Sequence, residues 1–139
     1  MPSAIPALAR PKVILGETDA ERLSALALQM EPSAPFAAGL LLGEIDRAEI
    51  QPDAVVPADV VRMHSTVAFL DEAHGKRRTV LLVFPNEADI AAGKISVVTP
   101  VGAGLIGLTA GDEIQWPNRE GRERSLKILR ATPPVRLAF

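Results

Sequence analysis

The stretch NEADIAAGKISVVTPVGAGLIGLTAGDEIQW, residues 86–116, is the part of this chain that decides its fold. It is rich in glycine and apolar residues, but charged residues flank and interrupt it, and no apolar run reaches the ~20 residues that a membrane span needs. Lys94–Thr99 is rich in β-branched residues and predicts a strand. Pro100 then predicts the first position of a short helix that runs to Ile106.

Strands with a two-residue period lie on both sides of this stretch. In Ser65–Leu70, Val67 and Phe69 share one face, and a turn then leads into a second strand, Arg78–Phe84, so that the two form a hairpin. Residues 60–132 are thus predicted to form a small antiparallel sheet with one or two short helices against a face. The other predicted elements are a short helix over Pro85–Gly93 and strands at Glu113–Trp116 and Arg124–Arg130.

The N-terminal half shows helical periodicity instead. Thr18 and Glu21 have the spacing of a capping box, which predicts that a helix begins at Thr18. Residues 31–35 (EPSAP) end it, and Pro35 is tolerated in the first turn of a second helix. Residues 17–51 are therefore predicted to form a short antiparallel helical hairpin, with helices about 20 Å long. The predicted apolar faces are Leu23, Leu26, Ala27 and Met30 in the first helix and Ala37, Leu40, Leu41, Ile45 and Ala48 in the second, with Glu44, Asp46, Arg47 and Glu49 facing water.

Helices this short are marginal alone, so we expect their apolar faces to be buried against the rest of the chain or against a second copy, which leaves a homodimer through the hairpin open. Residues 1–16 contain three prolines and are predicted to be a loose arm that ends in the apolar run 13–15. Residues 52–59 are the predicted linker, and residues 133–139 are a tail. The predicted fold class is α+β.

Composition limits the class of partner. With 15 basic and 17 acidic residues the net charge is −2, and only 4% of the residues are aromatic. A protein that coats phosphate backbones or stacks single-stranded bases is therefore disfavoured, and we expect a protein partner without sequence-specific nucleic-acid contacts. The absence of cysteine excludes disulfides, thiolate metal sites and a cysteine nucleophile. No secretory pattern opens the sequence, and a cytoplasmic, non-membrane protein is expected.

Two glycine-containing strings imitate nucleotide-binding motifs. Residues 102–107 (GAGLIG) match G-x-G-x-x-G, but that fingerprint needs a βαβ unit of about 30 residues, which the surrounding short strands do not supply. Gly93-Lys94 lacks the glycine and the hydroxyl of a phosphate loop, because Ala88 and Ile95 occupy those positions. We interpret the glycines as tight packing of a short helix on the sheet, and no cofactor is expected.

Candidate catalytic and metal-binding groups are sparse. The two histidines, His64 and His74, have no neighbours at ligand spacing, so no metal site is predicted. Counting residues leaves a Ser–His–Asp triad open, but no nucleophile motif such as G-x-S-x-G is present and the chain is not predicted to be an enzyme. Two basic clusters are interpreted as solvated hairpin faces, with contact to nucleic acid or to an acidic patch of a partner as the alternative. They are Lys76-Arg77-Arg78 and Arg119, Arg122 and Arg124.

Several strings of the C-terminal half, taken together over about residues 57–131, resemble the C-terminal domain of the Gre-type transcription elongation factors, GreA and GreB. The resemblance implies an FKBP-like fold that docks on the rim of the secondary channel of RNA polymerase. It is carried by Asn86–Asp89 with Gly93–Val97, by Thr99-Pro100-Val101 followed by Leu105-Ile106-Gly107, and by Ala110–Glu113. In that family the Ser/Thr-Pro loop contacts the polymerase, which implies binding through Thr99, Pro100, Val101, Leu105 and Ile106.

The N-terminal half departs from the cleavage factors, whose longer hairpin ends in two carboxylates that place Mg²⁺ in the polymerase active site. Here the predicted tip, Glu31-Pro32-Ser33, offers one carboxylate, which is a poor Mg²⁺ ligand set. The shorter hairpin resembles the Rnk family, regulators of nucleoside diphosphate kinase, which implies binding of core RNA polymerase and competition with cleavage factors without catalysis. The alternatives are a transcript-cleavage factor, a prolyl isomerase of related fold and direct contact with the kinase.

Overall fold

The N-terminal half contains the two helices that the periodicity predicts. The structure, a computed structural model, describes residues 10–72, 75–118 and 120–134. Helix α1 spans Glu17–Met30 and helix α2 spans Pro35–Asp46, with Pro35 at its first position. The predictions for residues 1–9, His74, Arg119 and the end of the tail lie outside the described residues. No described helix combines the length and the apolarity required to cross a bilayer.

The predicted apolar faces of both helices are confirmed. Leu23 and Ala27 of α1 and Ala37 and Leu41 of α2 are buried, and the other predicted apolar positions pack around them. The prediction that Glu44 faces water is wrong, because it is 2% exposed. Its carboxylate is surrounded by cationic side chains, which makes the burial of its charge tolerable.

The beginning of α1 differs from the predicted capping box. The helix starts at Glu17 with Gly16 at the N-cap and no side-chain cap from its own sequence. Instead, the Thr18 amide donates to Oδ1 of Asp53 over 3.0 Å and the Thr18 hydroxyl donates to Oδ2. Asp53 lies in a short 3-10 helix, Asp53–Val55, within the segment predicted as a linker. A carboxylate 35 residues away therefore replaces the local cap.

The apolar run at the end of the predicted arm is a core strand rather than a loose segment. Strand β1, Ile14–Gly16, pairs in parallel with β2, Glu49–Gln51, at the far end of the hairpin. Val13 and Leu15 are buried, and the Ile14 amide donates to the Gly107 carbonyl over 3.0 Å. Through its pairing with β2 and its hydrogen bond to Gly107, β1 joins the helical hairpin to the C-terminal half of the chain.

The C-terminal half is a five-stranded sheet within the described part of the chain. The elements are β3 Thr66–Asp71, β4 Lys76–Val83, β5 Lys94–Ser96, α3 Pro100–Leu105, β6 Glu113–Pro117 and β7 Glu123–Thr132. The strand order is β5-β4-β3-β7-β6, and the α+β class is confirmed. All pairs are antiparallel as predicted except β4 and β5, which are parallel. The segment between β4 and β5 forms two 3-10 turns, Pro85–Glu87 and Ile90–Ala92, instead of the predicted helix, and these carry the chain back to the same end of the sheet.

One face of this sheet shares a single hydrophobic core with α3 and the helical hairpin. The sheet contributes Val67, Phe69, Leu82, Ile114, Trp116, Leu126 and Ile128, all almost completely buried. The surface that the short helices need is therefore supplied by the chain's own sheet. The opposite face of the sheet is exposed.

Candidate functional site

The loop before α3 is held by hydrogen bonds from its own side chains. The Thr99 hydroxyl donates to the Ser96 carbonyl over 2.7 Å and accepts from the Gly102 amide over 3.1 Å, so Thr99 is the N-cap of α3. The Ser96 hydroxyl accepts from the Val98 amide over 3.0 Å. Pro100 follows with a fixed φ. The loop therefore presents its outer surface in one preorganised shape.

The glycines of the G-x-G-x-x-G string serve packing. A Cβ atom on Gly102 would lie 2.2 Å from the Ser96 carbonyl oxygen, and one on Gly104 would lie 2.8 Å from Nε1 of Trp116. That indole nitrogen donates to the Pro100 carbonyl over 2.6 Å. The motif thus places a short helix directly on backbone and on a buried indole ring, as the packing interpretation predicts.

The five residues implied to bind polymerase differ in their exposure. Thr99 and Val101 are partly exposed, whereas Pro100 is buried. Leu105 at the end of α3 and Ile106 at its C-cap are 0% and 1% exposed and belong to the hydrophobic core. Leu105 and Ile106 therefore do not contribute to a contact surface, and only the first part of the segment does.

An apolar groove of about 260 Å³ lies beside the loop, between α3 and the 3-10 turns. We call this the α3 groove. Ile90 is 82% exposed at its rim, and Ile95 is half-buried in it. Ile90 and Ile95 could not be recognised as site residues from the sequence, because a single isoleucine in a turn and one in a strand carry no periodic signal. The groove is lined by Arg78, Val80, Ala88, Ile90, Gly93, Ile95, Ser96, Thr99, Pro100 and Val101.

The hairpin tip lies next to the same loop. Glu31, Pro32 and Ser33 are all exposed. The flank of the tip, including Phe36, shares a cleft of about 350 Å³ with residues 98–100. Since Thr99 and Pro100 line both this cleft and the α3 groove, the two concavities form one adjoining surface. No group of three or more metal-ligating side chains occurs within the residues that the structure describes.

His64, Phe84 and Glu87 form a cluster of contacts in the sheet domain, and Arg22 of α1 packs on it. Its Nε2 lies 2.8 Å from Oε1 of Glu87, and the same oxygen accepts from the Phe84 amide over 3.1 Å. The His64 ring contacts the Phe84 ring edge-on, and the Arg22 guanidinium of α1 lies 4.7 Å from the centre of that ring. The hydrogen bond from His64, and then that from Phe84, lowers the pKa of the Glu87 carboxyl below its ordinary value of 4.5. These contacts hold the 3-10 turn Pro85–Glu87 against His64 and beside α1, which is a structural role.

We predict that Glu87→Gln lowers stability at neutral pH and has a shrinking effect as the solution is acidified. A carboxyl with a lowered pKa in the folded state stabilises the protein above its unfolded pKa, and this contribution disappears as the pH falls through the folded value. Urea denaturation of both proteins at a series of pH values down to well below 4.5 measures the difference. A difference that stays constant over that range would show that the carboxylate charge has no part in it.

Both halves of the chain match known protein families, and these are the families that the sequence resembles. Residues 56–133 match the family described as "Transcription elongation factor, GreA/GreB, C-term", and residues 11–50 match the family described as "Rnk N-terminus". The first range contains all the strings on which the Gre resemblance was based.

Three individual proteins illustrate the similarity. The chain is 36% identical over 122 residues to the "Regulator of nucleoside diphosphate kinase" of Escherichia coli K12, covering 88% of this chain and 90% of that protein. It is 42% identical over 69 residues to "Transcription elongation factor GreA" of Rhodospirillum rubrum, covering 50% and 44% of the two chains. The solved structure of "Prokaryotic transcription elongation factor GreA/GreB from Nitrosomonas europaea" has a TM-score of 0.68 at 37% identity, with 89% and 100% covered.

Proposed function

Because the chain belongs to the GreA/GreB transcription elongation factor family and carries the Rnk-type N-terminus, we propose that it is a non-catalytic regulator that binds core RNA polymerase near the secondary channel. The observation that supports this most directly is the α3 groove. Exposed Ile90 and half-exposed Val101 flank a loop that internal hydrogen bonds already hold in shape. A rigid apolar surface loses little conformational entropy when it binds a partner.

Competition with the longer factors follows from the proposed use of the shared domain. A GreA protein carries the same C-terminal domain, so both proteins would occupy the same rim of the polymerase and exclude each other. We therefore propose that the chain reduces the access of cleavage factors to core enzyme. A bacterial polymerase as partner would place this action in the cytoplasm.

The helical hairpin supports the non-catalytic part of the proposal. Its helices have 14 and 12 residues, hence lengths of about 21 and 18 Å. Its tip lies beside the loop at Thr99 and offers the single carboxylate of Glu31. One carboxylate is by itself a poor ligand set for the Mg²⁺ that phosphodiester cleavage needs.

We predict that Ile90→Glu combined with Val101→Glu weakens binding to core RNA polymerase by at least about tenfold, or 1.4 kcal/mol. Two carboxylates in the α3 groove would have to be desolvated on docking. Binding is measured by fluorescence anisotropy with labelled protein, and thermal unfolding verifies that the variant is folded. Ile50→Glu combined with Val55→Glu is the matched control, because Ile50 and Val55 are exposed residues of the same two types and lie outside the groove. Equal affinity of the groove variant and the wild type would refute this surface as the polymerase contact.

A backtracked elongation complex tests the catalytic alternative. Addition of the protein should release no short RNA 3′ fragments, and it should slow their release by a full-length GreA protein. Fragments that appear with the wild type and disappear with Glu31→Gln would establish a cleavage factor instead. A pull-down that recovers a nucleoside diphosphate kinase and no polymerase would favour regulation of that kinase, the function for which the Escherichia coli relative is named.

A further inference from the structure

The exposed face of the sheet carries a cluster of basic side chains. Ala68 of β3 lies opposite Arg130 of β7, and Leu70 of β3 lies between Arg77 of β4 and Lys127 of β7. The three basic residues are exposed and point away from the core. With neighbouring strands about 4.8 Å apart, Arg77 and Lys127 are about 10 Å apart across the face. We call Arg77, Lys127 and Arg130 the outer-face cluster.

The outer-face cluster is not neutralised by the rest of the described chain. None of its three members has an ion-pair partner within residues 10–72, 75–118 and 120–134. Glu113 of β6 lies opposite Lys127 in the strand register, and its carboxylate, which accepts a hydrogen bond from the Ser125 hydroxyl, offsets part of the charge of Lys127. The local positive potential of this face is therefore centred on Arg77 and Arg130.

A β-bulge builds an apolar contact into the same face. Ala68 is in register with Arg130, but the next residue, Phe69, is in register with Ile128, so Leu129 is the extra residue of the bulge. Successive side chains of a regular strand point to opposite faces. Here the bulge leaves both Leu129 and Arg130 exposed, and Leu129 retains 36% exposure despite its size.

The result is a shallow hollow of about 410 Å³ with an aliphatic floor and two guanidinium groups around it. Guanidinium groups bind carboxylates in strong, charge-assisted pairs, and the floor suits an aliphatic side chain. The hollow is lined by Ala68, Arg77, Thr79, Leu129 and Arg130.

We propose that this hollow and the outer-face cluster are a docking surface for an acidic, amphipathic segment of a second protein. Its carboxylates would pair with Arg77, Lys127 and Arg130, and an aliphatic residue between them would contact Leu129. A protein segment is favoured over single-stranded nucleic acid, because no aromatic side chain lines the hollow and base stacking needs such a ring. Since α3 packs on the opposite face of the sheet, this surface stays accessible when the α3 groove is occupied.

A synthetic amphipathic peptide of leucine and glutamate, labelled with fluorescein, tests the proposal on the full-length protein without polymerase. Its titration into ¹⁵N-labelled protein should shift the amide resonances of Ala68, Thr79 and Leu129 more than those of the α3 groove. In anisotropy measurements, Arg77→Glu combined with Arg130→Glu should weaken binding by about tenfold or more. Lys76→Glu combined with Arg122→Glu, which changes the charge equally at exposed positions outside the hollow, should change it by less than about twofold.

Three results would overturn the proposal. One is saturation of the amide shifts at another surface. Another is an equal loss of peptide affinity in the two charge-reversed variants. The third is tighter binding of a single-stranded RNA of similar length and charge than of the peptide, with the same dependence on Arg77 and Arg130. If peptide binding to the outer-face cluster failed, the expected loss of polymerase affinity in the Ile90 and Val101 variant would be unaffected, because the two surfaces are distinct.

Discussion

Gly102→Ala should destabilise the folded protein by about 3 kcal/mol or more. The added Cβ would lie 2.2 Å from the Ser96 carbonyl oxygen and 2.8 Å from the Val97 Cα. Both are backbone atoms of the segment that leads into α3, so no flexible side chain can move aside. To relieve the contact, α3 must shift away from the sheet and weaken the hydrogen bond between Trp116 and Pro100. Urea or thermal unfolding monitored by the fluorescence of Trp116 measures the loss.

Gly39→Ala is the matched control for this substitution. Gly39 lies within α2, and a Cβ there meets nothing within 4 Å. Alanine is favoured over glycine inside a helix by about 1 kcal/mol, so this variant should be more stable than the wild type. If both variants proved equally stable, the packing interpretation of the glycine string would be wrong. A nucleotide that bound the wild type and protected residues 102–107 would have the same consequence.

Arg47→Met should cost about 2–4 kcal/mol, because it leaves the buried Glu44 carboxylate without its main partner. Arg47 donates to that carboxylate through Nε, at 3.1 and 3.2 Å, and through Nη2, at 2.8 Å. Its Nη1 donates to the Pro11 carbonyl over 2.7 Å, which joins α2 to the segment before β1. After the substitution, Arg10 remains at 3.6 Å from the carboxylate as a weaker partner. Chemical denaturation measures the cost.

A double variant separates the buried charge from the loss of packing. Glu44→Leu combined with Arg47→Met removes both charges, so it should be more stable than Arg47→Met alone. Lys12→Met is the control for an exposed pair, since Lys12 and Glu49 are 66% and 45% exposed at a distance of 2.7 Å. That variant should lose much less stability than Arg47→Met, because water and salt screen an exposed ion pair. An equal cost for Lys12→Met and Arg47→Met would show that burial of Glu44 adds nothing.

Periodicity predicted the elements of the fold well where a pattern is local and repeated. The i, i+3, i+4 spacing identified the inward faces of α1 and α2, and alternation identified Val67 and Phe69 as core residues. Pro100 marked the start of α3. The parallel pairing of β4 and β5 was missed, because strand direction depends on the path of the intervening turns and not on the residues of either strand.

The candidate site was predicted less completely. Thr99 and Val101 are partly exposed, so a contact through them stays a prediction, but Leu105 and Ile106 of the same string are in the core. A string of similar residues does not say which members of a short helix are covered by the rest of the fold. Ile90 lies beside the Thr-Pro loop only in the folded structure, since the two are separated in sequence.

From its residues alone, this chain determines its α+β class, its short helices, the packing role of its glycines and, through strings spread over residues 86–113, its family. These are properties of nearest neighbours and of repeated spacing, which any segment carries with it. Only the tertiary structure decided that Asp53 caps α1, that Glu44 is a buried charge, and that a bulge at Leu129 exposes two successive side chains on the sheet. Each of these joins residues far apart in the chain or depends on the register between strands, and that information exists only once the core has formed.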